Sequence, residues 1–442
     1  MRGILLFTVF LSAGFACRVE AAGPSLEWME GDDGPELKLH WRVPAGDTTY
    51  DLRWSADMKN WSSVGGYPVR PEERYLEYRF PLEPERLFFR FVDLGENYPP
   101  PPAPLETYFT HVGPTGREED PVLEEKLVEL LELAEPGSEV LVALYAWSRR
   151  NMAEAFIEAY ERGVGVRIIV GSEFQAVSML KEALPGEDVL VCRHGGDEPV
   201  GCHGSEGTIN HNKFFLFSEL SDGSHDVVVQ SSANLTNTQL RMNNNMLIVR
   251  GDGALYDAYH RYWQDLYREV GDTDYYWYAE GETEIEVHFF PRNDGGDTIL
   301  DILEIFDDIP CGFGARIHVG MSRWTWARSS IAERLAELSG EGCSVEVIVN
   351  PNNTNPAIID LLEEGGTAVT RFEHVHSKYM IIDTGIGRGR HIVVTGSKNF
   401  SGGGLTRSDD ALIRIADARL YDAFLEDWKR MRTHPLAETP GD

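Results

Sequence analysis

The chain has 442 residues, a formal net charge of −32 at pH 7 and 42% hydrophobic residues. This length allows two or three domains with large cores. The excess of negative charge repels polyphosphate at long range, so it argues against tight, nonspecific nucleic-acid binding and fits a solvated acidic surface.

The first residues follow the pattern of an export signal. Arg2 precedes an apolar run from Ile4 to Ala16, and small residues then offer a cleavage site. We therefore predict a signal peptide over residues 1–21 and a secreted or periplasmic mature protein. A transmembrane anchor is an alternative, but the run is short for a membrane span. A lipoprotein site at Cys17 is a weaker alternative, because bulky Phe15 lies two residues before it.

Residues 24–94 predict a small all-β module. Leu37–Arg42, Thr48–Ser55 and Leu87–Val92 alternate or are rich in aromatic and β-branched residues, with turn residues between them. The string from Tyr50 to Trp61, followed by Leu87–Phe91, resembles fibronectin type III-like modules of bacterial exported proteins. That resemblance implies a β-sandwich with an accessory or spacer role. Five prolines between positions 99 and 104 then predict a stiff, extended linker over residues 95–106.

Beyond the linker, apolar strands alternate with amphipathic helices, which is typical of α/β architecture. Shifting residues 211–263 by 165 positions, without a gap, reproduces their key residues, so we predict two tandem repeats, 107–270 and 271–434, and a tail over 435–442. The aromatic stripes of the closing helices predict core packing. The elements expected in the first repeat are Val122–Leu133, Glu139–Tyr145, Asn151–Arg162, Val166–Val170, Lys213–Phe217, Val227–Gln230, Met246–Val249 and Leu255–Tyr267. Those expected in the second are Thr298–Phe306, Ala315–Met321, Ser329–Leu338, Val345–Val349, Lys378–Ile382, Ile392–Thr395, Leu412–Ile415 and Leu420–Met431.

Four cysteines remain once the signal peptide is removed. An even number in an exported protein is compatible with two disulfides. Cys311 and Cys343 each precede a predicted strand, and neighbouring parallel strands would bring them together, so we favour Cys311–Cys343 and Cys192–Cys202. A zinc site from the two other cysteines with His194 and His203 is the alternative, but its spacing matches no common zinc pattern.

The residues that predict chemistry occur twice at identical spacing. A histidine is followed by lysine at +2, serine at +21 and asparagine at +23. Residues two apart on a strand share a face, and the asparagines follow strand ends, where open α/β sheets bind ligands. A duplicated fold can pair its copies and join the two sets into one active site. The sets are His211, Lys213, Ser232 and Asn234 in the first repeat, and His376, Lys378, Ser397 and Asn399 in the second.

This doubled pattern resembles the phospholipase D superfamily, whose signature is His-x-Lys-x4-Asp followed by Gly-Ser-x-Asn. The second repeat matches in full, including Asp383 and Gly396, whereas the first has Ser218 and Ser231 at those positions. The resemblance implies two phospholipase D-type α/β/α halves that form one pseudo-two-fold catalytic unit. It further implies a covalent phosphohistidine and no cofactor or metal. Two lysines and two asparagines would stabilise the developing charge on phosphorus-bound oxygens.

One asymmetry proposes different roles for the two histidines. Superfamily members tend to place an acidic residue at +34 that orients the imidazole, and here that position is Asn245 in the first repeat and Asp410 in the second. A carboxylate neighbour favours the protonated imidazole. The hypothesis is therefore that His376 is the general acid and His211 the nucleophile. Superfamily precedent, in which the first-copy histidine usually attacks, points the same way.

Other candidates rank lower. His374 has no counterpart in the first repeat, and His194 and His203 are expected at the surface of an inserted loop. Three tryptophans follow the first strand of each repeat and either line a pocket for an apolar group or pack between the repeats; they are Trp147, Trp324 and Trp326.

The leading interpretation is an exported, metal-independent phosphodiesterase that hydrolyses or transfers a phosphodiester. We favour a phospholipid at a membrane surface as the substrate, because the protein is exported, acidic and aromatic near the expected site. The alternatives are a nuclease, which the charge disfavours, and a non-catalytic binding protein, which the retention of every His, Lys and Asn disfavours. A monomer is expected.

Overall fold

The computed structural model describes residues 105–433, apart from 205, 282–283, 310, 312–313 and 386–390, together with backbone strands within residues 4–95. The chain divides into two compact units, 1–103 and 104–442. Residues 11–24, 96–104 and 434–442 lie outside the described residues. They carry most of the predicted signal peptide, linker and tail, which remain predictions.

The N-terminal unit is all-β in its described part. One antiparallel sheet has the order β1-β7-β4-β5 and another the order β2-β3-β6. The first strand lies within the predicted signal peptide, and the resemblance to fibronectin type III-like modules stays a prediction. The strands are β1 (Ile4–Phe10), β2 (Ser25–Gly31), β3 (Gly34–Arg42), β4 (Thr49–Ser55), β5 (Ser62–Ser63), β6 (Tyr75–Pro81) and β7 (Arg86–Gly95).

The first repeat forms a seven-stranded mixed sheet with the order β11-β10-β9-β13-β14-β15-β8. Leu105 and Glu106, the last residues of the predicted linker, already belong to its edge strand. The strands of this sheet are β8 (Leu105–Phe109), β9 (Glu139–Leu144), β10 (Gly165–Val170), β11 (Val189–Val191), β13 (Lys213–Glu219), β14 (His225–Ser231) and β15 (Asn245–Val249). A short strand, β12 (Ile209–Asn210), lies outside it. The helices are α1 (Val122–Leu133), α2 (Arg150–Glu161), α3 (Gln175–Ala183) and α4 (Gly253–Tyr267).

The second repeat forms an eight-stranded sheet in the corresponding order, β16-β17-β24-β22-β21-β18-β19-β20. The strands of this sheet are β16 (Trp277–Glu280), β17 (Ile285–Phe289), β18 (Arg316–Met321), β19 (Ser344–Val349), β20 (Ala368–Arg371), β21 (Lys378–Asp383), β22 (His391–Gly396) and β24 (Ala411–Ala416). The short strand β23 (Ser408–Asp409) pairs with β12 outside the sheet. Its helices are α5 (Thr298–Leu303), α6 (Ile305–Asp308), α7 (Ser329–Gly340), α8 (Pro356–Glu364), α9 (Gly402–Thr406) and α10 (Ala418–Arg432).

The two repeats share one central core. Helices α4 and α10 contribute to a cluster that contains apolar residues of both sheets, while each repeat has a separate core on its other face. Trp263 and Trp428 are almost fully buried, and their indole N–H groups donate to the carbonyls of Val142 and Val319. The predicted α/β repeats and the packing role of the aromatic helices are confirmed.

Helices α4 and α10 begin in the same way in both repeats. Asp252 and Asp417 are their N-caps, and each carboxylate accepts the backbone N–H three residues later. Such caps satisfy N–H groups that have no partner within the helix. The pair explains why the 165-residue spacing holds so well at the start of the closing helices.

Both favoured disulfides, Cys192–Cys202 and Cys311–Cys343, are present. The zinc alternative is therefore wrong, because its two cysteine sulfurs are bonded to each other and cannot serve as thiolate ligands. Cys311 and Cys343 precede the parallel neighbours β18 and β19, as the sequence argument required.

Candidate active site

The repeats meet through two equivalent backbone junctions. β12, which leads to His211, pairs in parallel with β23, and the His211 N–H donates to the Asp409 carbonyl. In the same way the His376 N–H donates to the carbonyl of Asn243. Each histidine is therefore held by backbone of the opposite repeat, which joins the two half-sites.

The imidazoles are also oriented across the repeats. Nδ1 of His211 lies 2.9 Å from Oδ1 of Asp410, and Nδ1 of His376 lies 2.8 Å from Oδ1 of Asn244. Both partners are acceptors at these atoms, so each Nδ1 carries the proton and each Nε2 carries the lone pair. Among the described residues, none forms a hydrogen bond with Nε2 of His211.

The prediction that Asn245 stands where a residue orients the imidazole of its own repeat, His211, is wrong. Asn245 is buried inside β15, and its Nδ2 donates to Oγ1 of Thr395 at 2.7 Å rather than to either histidine. The gap-free comparison of the repeats misassigned it by one position. Its true counterpart is Ala411, as the hydrogen bonds of the motif serines establish.

Ser232 and Ser397 make matching hydrogen bonds. The Ser397 hydroxyl donates to Asp410 and accepts the N–H of Ala411, whereas the Ser232 hydroxyl donates to Asn244 and accepts the N–H of Asn245. Asn244 is thus the structural equivalent of Asp410. The repeats differ by 166 positions here, because one residue is missing between the motif asparagine and this position in the first repeat.

The amide of Asn244 is fixed by its surroundings. Its Nδ2 donates to the backbone carbonyls of Gln239 and Met242, which leaves Oδ1 for His376. A carboxylate at this position would face two carbonyl oxygens. The first repeat is therefore built for a neutral partner, while Asp410 supplies a negative charge to His211.

Four cationic or basic side chains share this site. Lys213 and Lys378 are buried, and their ammonium groups donate to the carbonyls of His211 and His376 at 2.6 and 2.7 Å. Lys378 also donates to the carbonyl of Ser232 in the other repeat. Burial lowers the pKa of Lys213 to about 7 and that of Lys378 well below its usual range.

Burial and the lysines also depress the basicity of both histidines. Burial, followed by the charge of Lys213, lowers the pKa of His211 to about 4, although Asp410 opposes the shift. Burial and the charges of Lys378 and Lys213 hold the pKa of His376 well below its usual value. Burial opposes the ionisation of Asp410, but His211 and Lys213 still lower its pKa. The ligand-free site therefore holds neutral imidazoles beside a carboxylate.

The motif asparagines have unused acceptors. Oδ1 of Asn234 and of Asn399 is buried without a hydrogen-bond partner among the described residues. Asn399, His211 and Asp410 line an open cleft of about 450 Å³. The cleft gives a ligand access to the lone pair on His211.

Asp383 lies far from this chemistry. It ends β21, seven residues beyond His376 and therefore roughly 20 Å along the strand. Its carboxylate accepts the N–H of Gly385. The corresponding Ser218 accepts the N–H of Glu139 through its hydroxyl, so both residues tie backbone at the far edge of a sheet.

The lower-ranked histidines have structural roles. The ring of His374 packs so closely on Gly116 that a Cβ there would lie 2.2 Å from it. His203 is buried, stacks on Tyr275 at 3.6 Å and bonds the Val270 carbonyl, so its expected surface position is wrong. His194 is exposed, at the surface position expected for it, and its Nε2 bonds the carbonyl of Gly201.

The three tryptophans were expected either to line a pocket for an apolar group or to pack between the repeats, and as a group they do neither. Trp147 and Trp324 are fully buried, each in the core of its own repeat. They neither line the cleft nor pack between the repeats. Trp326 is half-exposed, beside the cleft residues Thr325 and Ala327.

Sequence reasoning missed several residues of the site. Asn244 was detectable, because it directly precedes a strand as Asp410 does, within the run Asn243–Asn245. Arg323 and Arg407 also line the cleft, and no motif marks them.

Comparison with known proteins assigns the family. The profile described as cardiolipin synthase, PLD-like domain matches residues 127–267 and again residues 314–432, which together cover more than half of the chain. The chain belongs to the phospholipase D-like family. This family member is accordingly an enzyme that acts on phosphodiesters. Its two profile matches coincide with the two repeats that meet at His211 and His376.

Solved structures agree with the phospholipase D-like fold. Phosphatidylserine synthase of Haemophilus influenzae is 12% identical, with a TM-score of 0.52 over 75% of this chain and 87% of that one. Polyphosphate kinase of Porphyromonas gingivalis is 15% identical, with a TM-score of 0.50 over 73% of this chain. The match spans 46%, or about half, of the kinase chain. A sequence comparison with curated proteins gives no match.

In the parts of the chain described here, no helix combines the length and apolarity needed to cross a bilayer.

Proposed function

We propose that the protein is an exported phosphodiesterase that cleaves a phospholipid head-group diester through a covalent phosphohistidine on His211. The observation that carries the proposal is the cross-repeat anchoring of both Nδ1 atoms, by Asp410 and by Asn244. It directs the Nε2 lone pair of His211 to a cleft that a substrate can enter.

In the first step, Nε2 of His211 attacks phosphorus and the bond from phosphorus to the leaving oxygen breaks. His376 donates a proton to that oxygen. The resulting phosphohistidine has both ring nitrogens substituted and carries positive charge, which the carboxylate of Asp410 stabilises. The carboxylate thus supports His211 as the nucleophile. From the sequence, Asp410 was expected to favour protonation of His376, so the reason has changed while the roles of the two histidines stay the same.

In the second step, neutral His376 takes a proton from water, the water oxygen attacks phosphorus, and the phosphorus–nitrogen bond breaks. An alcohol in place of water would give transfer. Lys213, Lys378 and the side-chain amides of the motif asparagines offer donors for the phosphoryl oxygens. A bound phosphodiester anion offsets the lysine charges and so raises the pKa of His376 toward the range that a general acid needs.

Export is supported by the sequence pattern of residues 1–21 and by two disulfides, which persist in oxidising compartments. A phospholipid is favoured over nucleic acid because the net charge of −32 repels polyphosphate.

The test is a parallel assay, with EDTA present, on phosphatidylcholine liposomes, single-stranded DNA and bis(p-nitrophenyl) phosphate. His211→Ala is the inactive control. We expect cleavage of lipid and of the small diester. Cleavage of DNA alone would make the protein a nuclease, and no cleavage of any substrate would indicate a binding role. Mapping the trapped phosphoryl group to His376 would overturn the assignment of roles.

A further inference from the structure

Two arginines line the cleft beside His211 without a partner among the described residues. The side chains of Arg323 and Arg407 form no ion pair or hydrogen bond with the described residues, and both are exposed. Asp410 is the one carboxylate among the cleft-lining residues, and it is already bonded to His211. In a chain of net charge −32, this leaves uncompensated positive charge next to the nucleophile.

At the equivalent positions, the other repeat has no uncompensated positive charge. β9 and β18 occupy equivalent places beside the Lys-led strands, so Arg323 corresponds to Ala146. By the 166-residue offset, Arg407 corresponds to Arg241, whose guanidinium is ion-paired with Glu119 at 2.8 Å. At this position the arginine of the first repeat, Arg241, has a carboxylate partner, whereas the arginine of the second repeat, Arg407, is exposed to solvent.

The glycine run after Asn399 leaves space in front of Arg407. A Cβ on Gly402 would meet Cβ of Ala327 at 2.9 Å, and one on Gly404 would meet the Asn399 carbonyl at 2.9 Å. At Gly403 the nearest atom would be Nη2 of Arg407, at 3.8 Å. The guanidinium therefore lies over a glycine without a side chain, where a bound anion can reach it.

Apolar side chains are exposed at the same cleft. Ile209 lines it and is 37% exposed, and Trp326, between the lining residues Thr325 and Ala327, is 50% exposed. Tryptophan beside exposed aliphatic side chains is typical of surfaces that contact the polar–apolar boundary of a bilayer. A phospholipid presents that combination of an anionic head group and apolar chains.

We propose that Arg323 and Arg407 bind a second anionic group on the head group of the phospholipid whose diester is cleaved at His211. The inference rests on the proposed function and narrows the substrate from phospholipids in general to those whose head group carries a second anion. An arginine stays charged at physiological pH and binds phosphate or carboxylate oxygens with paired N–H groups. The second anion is a phosphate or a carboxylate, and the substrate arms below distinguish the two.

The test compares Arg323→Ala, Arg407→Ala and the double variant of the full chain on lipids in detergent micelles. Cardiolipin carries a second phosphate, phosphatidylserine carries a carboxylate, and phosphatidylglycerol has a glycerol head group with no second anion. Bis(p-nitrophenyl) phosphate reports the chemistry alone. Arg323→Lys and Arg407→Lys keep the charge, and Arg241→Ala removes the paired arginine of the other repeat.

Each alanine variant is expected to raise KM about tenfold for cardiolipin or for phosphatidylserine. Rates on phosphatidylglycerol and the small diester should stay within about twofold. The lysine variants should recover most of the lost affinity, and Arg241→Ala should behave as the wild type.

An equal loss on phosphatidylglycerol would overturn the inference, because the arginines would then act on the scissile phosphate. If the arginine variants left KM unchanged on both cardiolipin and phosphatidylserine, the inference would also be overturned. An arginine-dependent preference for a short single-stranded oligonucleotide would assign the charges to the next phosphate of a strand instead.

A wild-type protein that cleaves none of these substrates, including the small diester, would refute the proposed function rather than this inference. Binding of cardiolipin, phosphatidylserine and phosphatidylglycerol micelles to His211→Ala, with and without the arginine substitutions, then decides the matter. Arginine-dependent preference for cardiolipin or phosphatidylserine micelles supports the subsite, and equal binding of all three removes it.

Discussion

The two repeats have the same chain path around the active site but differ in charge. Asn244 is an amide held by two carbonyls, whereas its counterpart Asp410 is a carboxylate. Arg241 is ion-paired, whereas Arg407 has no ion pair within the part of the chain that the structure describes. The two halves therefore share a symmetric scaffold, and local differences in residue type and in pairing give them different chemistry. Because each half orients the histidine of the other, a change in one repeat acts on the opposite one.

The largest expected effect is the loss of either histidine. His211→Ala and His376→Ala should each reduce kcat on bis(p-nitrophenyl) phosphate by at least about 10⁴-fold, because each acts in both steps. The two variants differ in the intermediate. His376→Ala should still accumulate phosphoenzyme with a good leaving group, and His211→Ala should not, as measured by acid-quench labelling. Labelling of His211→Ala would contradict the assignment.

The next effect concerns the two orienting residues. Asp410→Asn should lower kcat about 100-fold, because the phosphohistidine loses its stabilising carboxylate. Asn244→Asp should lower thermal stability, because the new carboxylate faces the carbonyls of Gln239 and Met242. Circular dichroism melting and steady-state kinetics separate the two outcomes. If Asp410→Asn kept wild-type kcat, the asymmetry would have no catalytic meaning.

The pH profile of kcat/KM should be bell-shaped. His211 must be neutral to attack, and its pKa of about 4 sets the acid limb. His376 must be protonated to act as the general acid, and Lys213 must be charged. Because the pKa of His376 in the free enzyme is held well below its usual value, the alkaline limb lies no higher than the Lys213 pKa of about 7. Activity should fall about tenfold per pH unit beyond each limb. Asp410→Asn should move the acid limb to lower pH, because the carboxylate raises the pKa of His211. An unmoved limb would assign it to another group.

Removal of the first-repeat disulfide should affect activity, whereas removal of the second-repeat disulfide should not. The backbone N–H groups of Cys202 and His203 donate to Asp409, next to Asp410. Replacing Cys192 and Cys202 by serine should therefore reduce both the activity and the free energy of unfolding, the latter by about 3 kcal/mol. Replacing Cys311 and Cys343 should cost similar stability but leave kcat within about twofold. Equal activities in the two double variants would disconnect the inserted loop from the site.

The smallest effect is expected at the motif aspartate. Asp383→Ser installs the residue that the first repeat has at Ser218. Because the carboxylate tethers a turn remote from the histidines, kcat should change less than about twofold, with about 1 kcal/mol of stability lost. Urea unfolding measures the stability. A tenfold loss of kcat without unfolding would show that Asp383 acts on the site.

Much of the fold followed from local patterns. The strands that begin at Lys213 and Lys378 and the closing helices lie close to their predicted positions, because buried strands and amphipathic helices have distinct periodicities. Helix α3 and strand β11, and their counterparts α8 and β20, were not predicted. They are short, and their packing depends on neighbours that are distant in the sequence.

The sequence by itself determined that two equivalent half-sites exist and which residue types they contain, since identical motifs at fixed spacing imply identical local structure. Only the tertiary structure decided which residues meet. Hydrogen bonds across the repeats assign Asp410 to His211 and Asn244 to His376, and they reveal a one-residue offset that a gap-free comparison conceals. The tertiary structure also decided that Arg241 is ion-paired while Arg407 has no ion pair with the described residues, because the pair of Arg241 depends on a distant glutamate, Glu119.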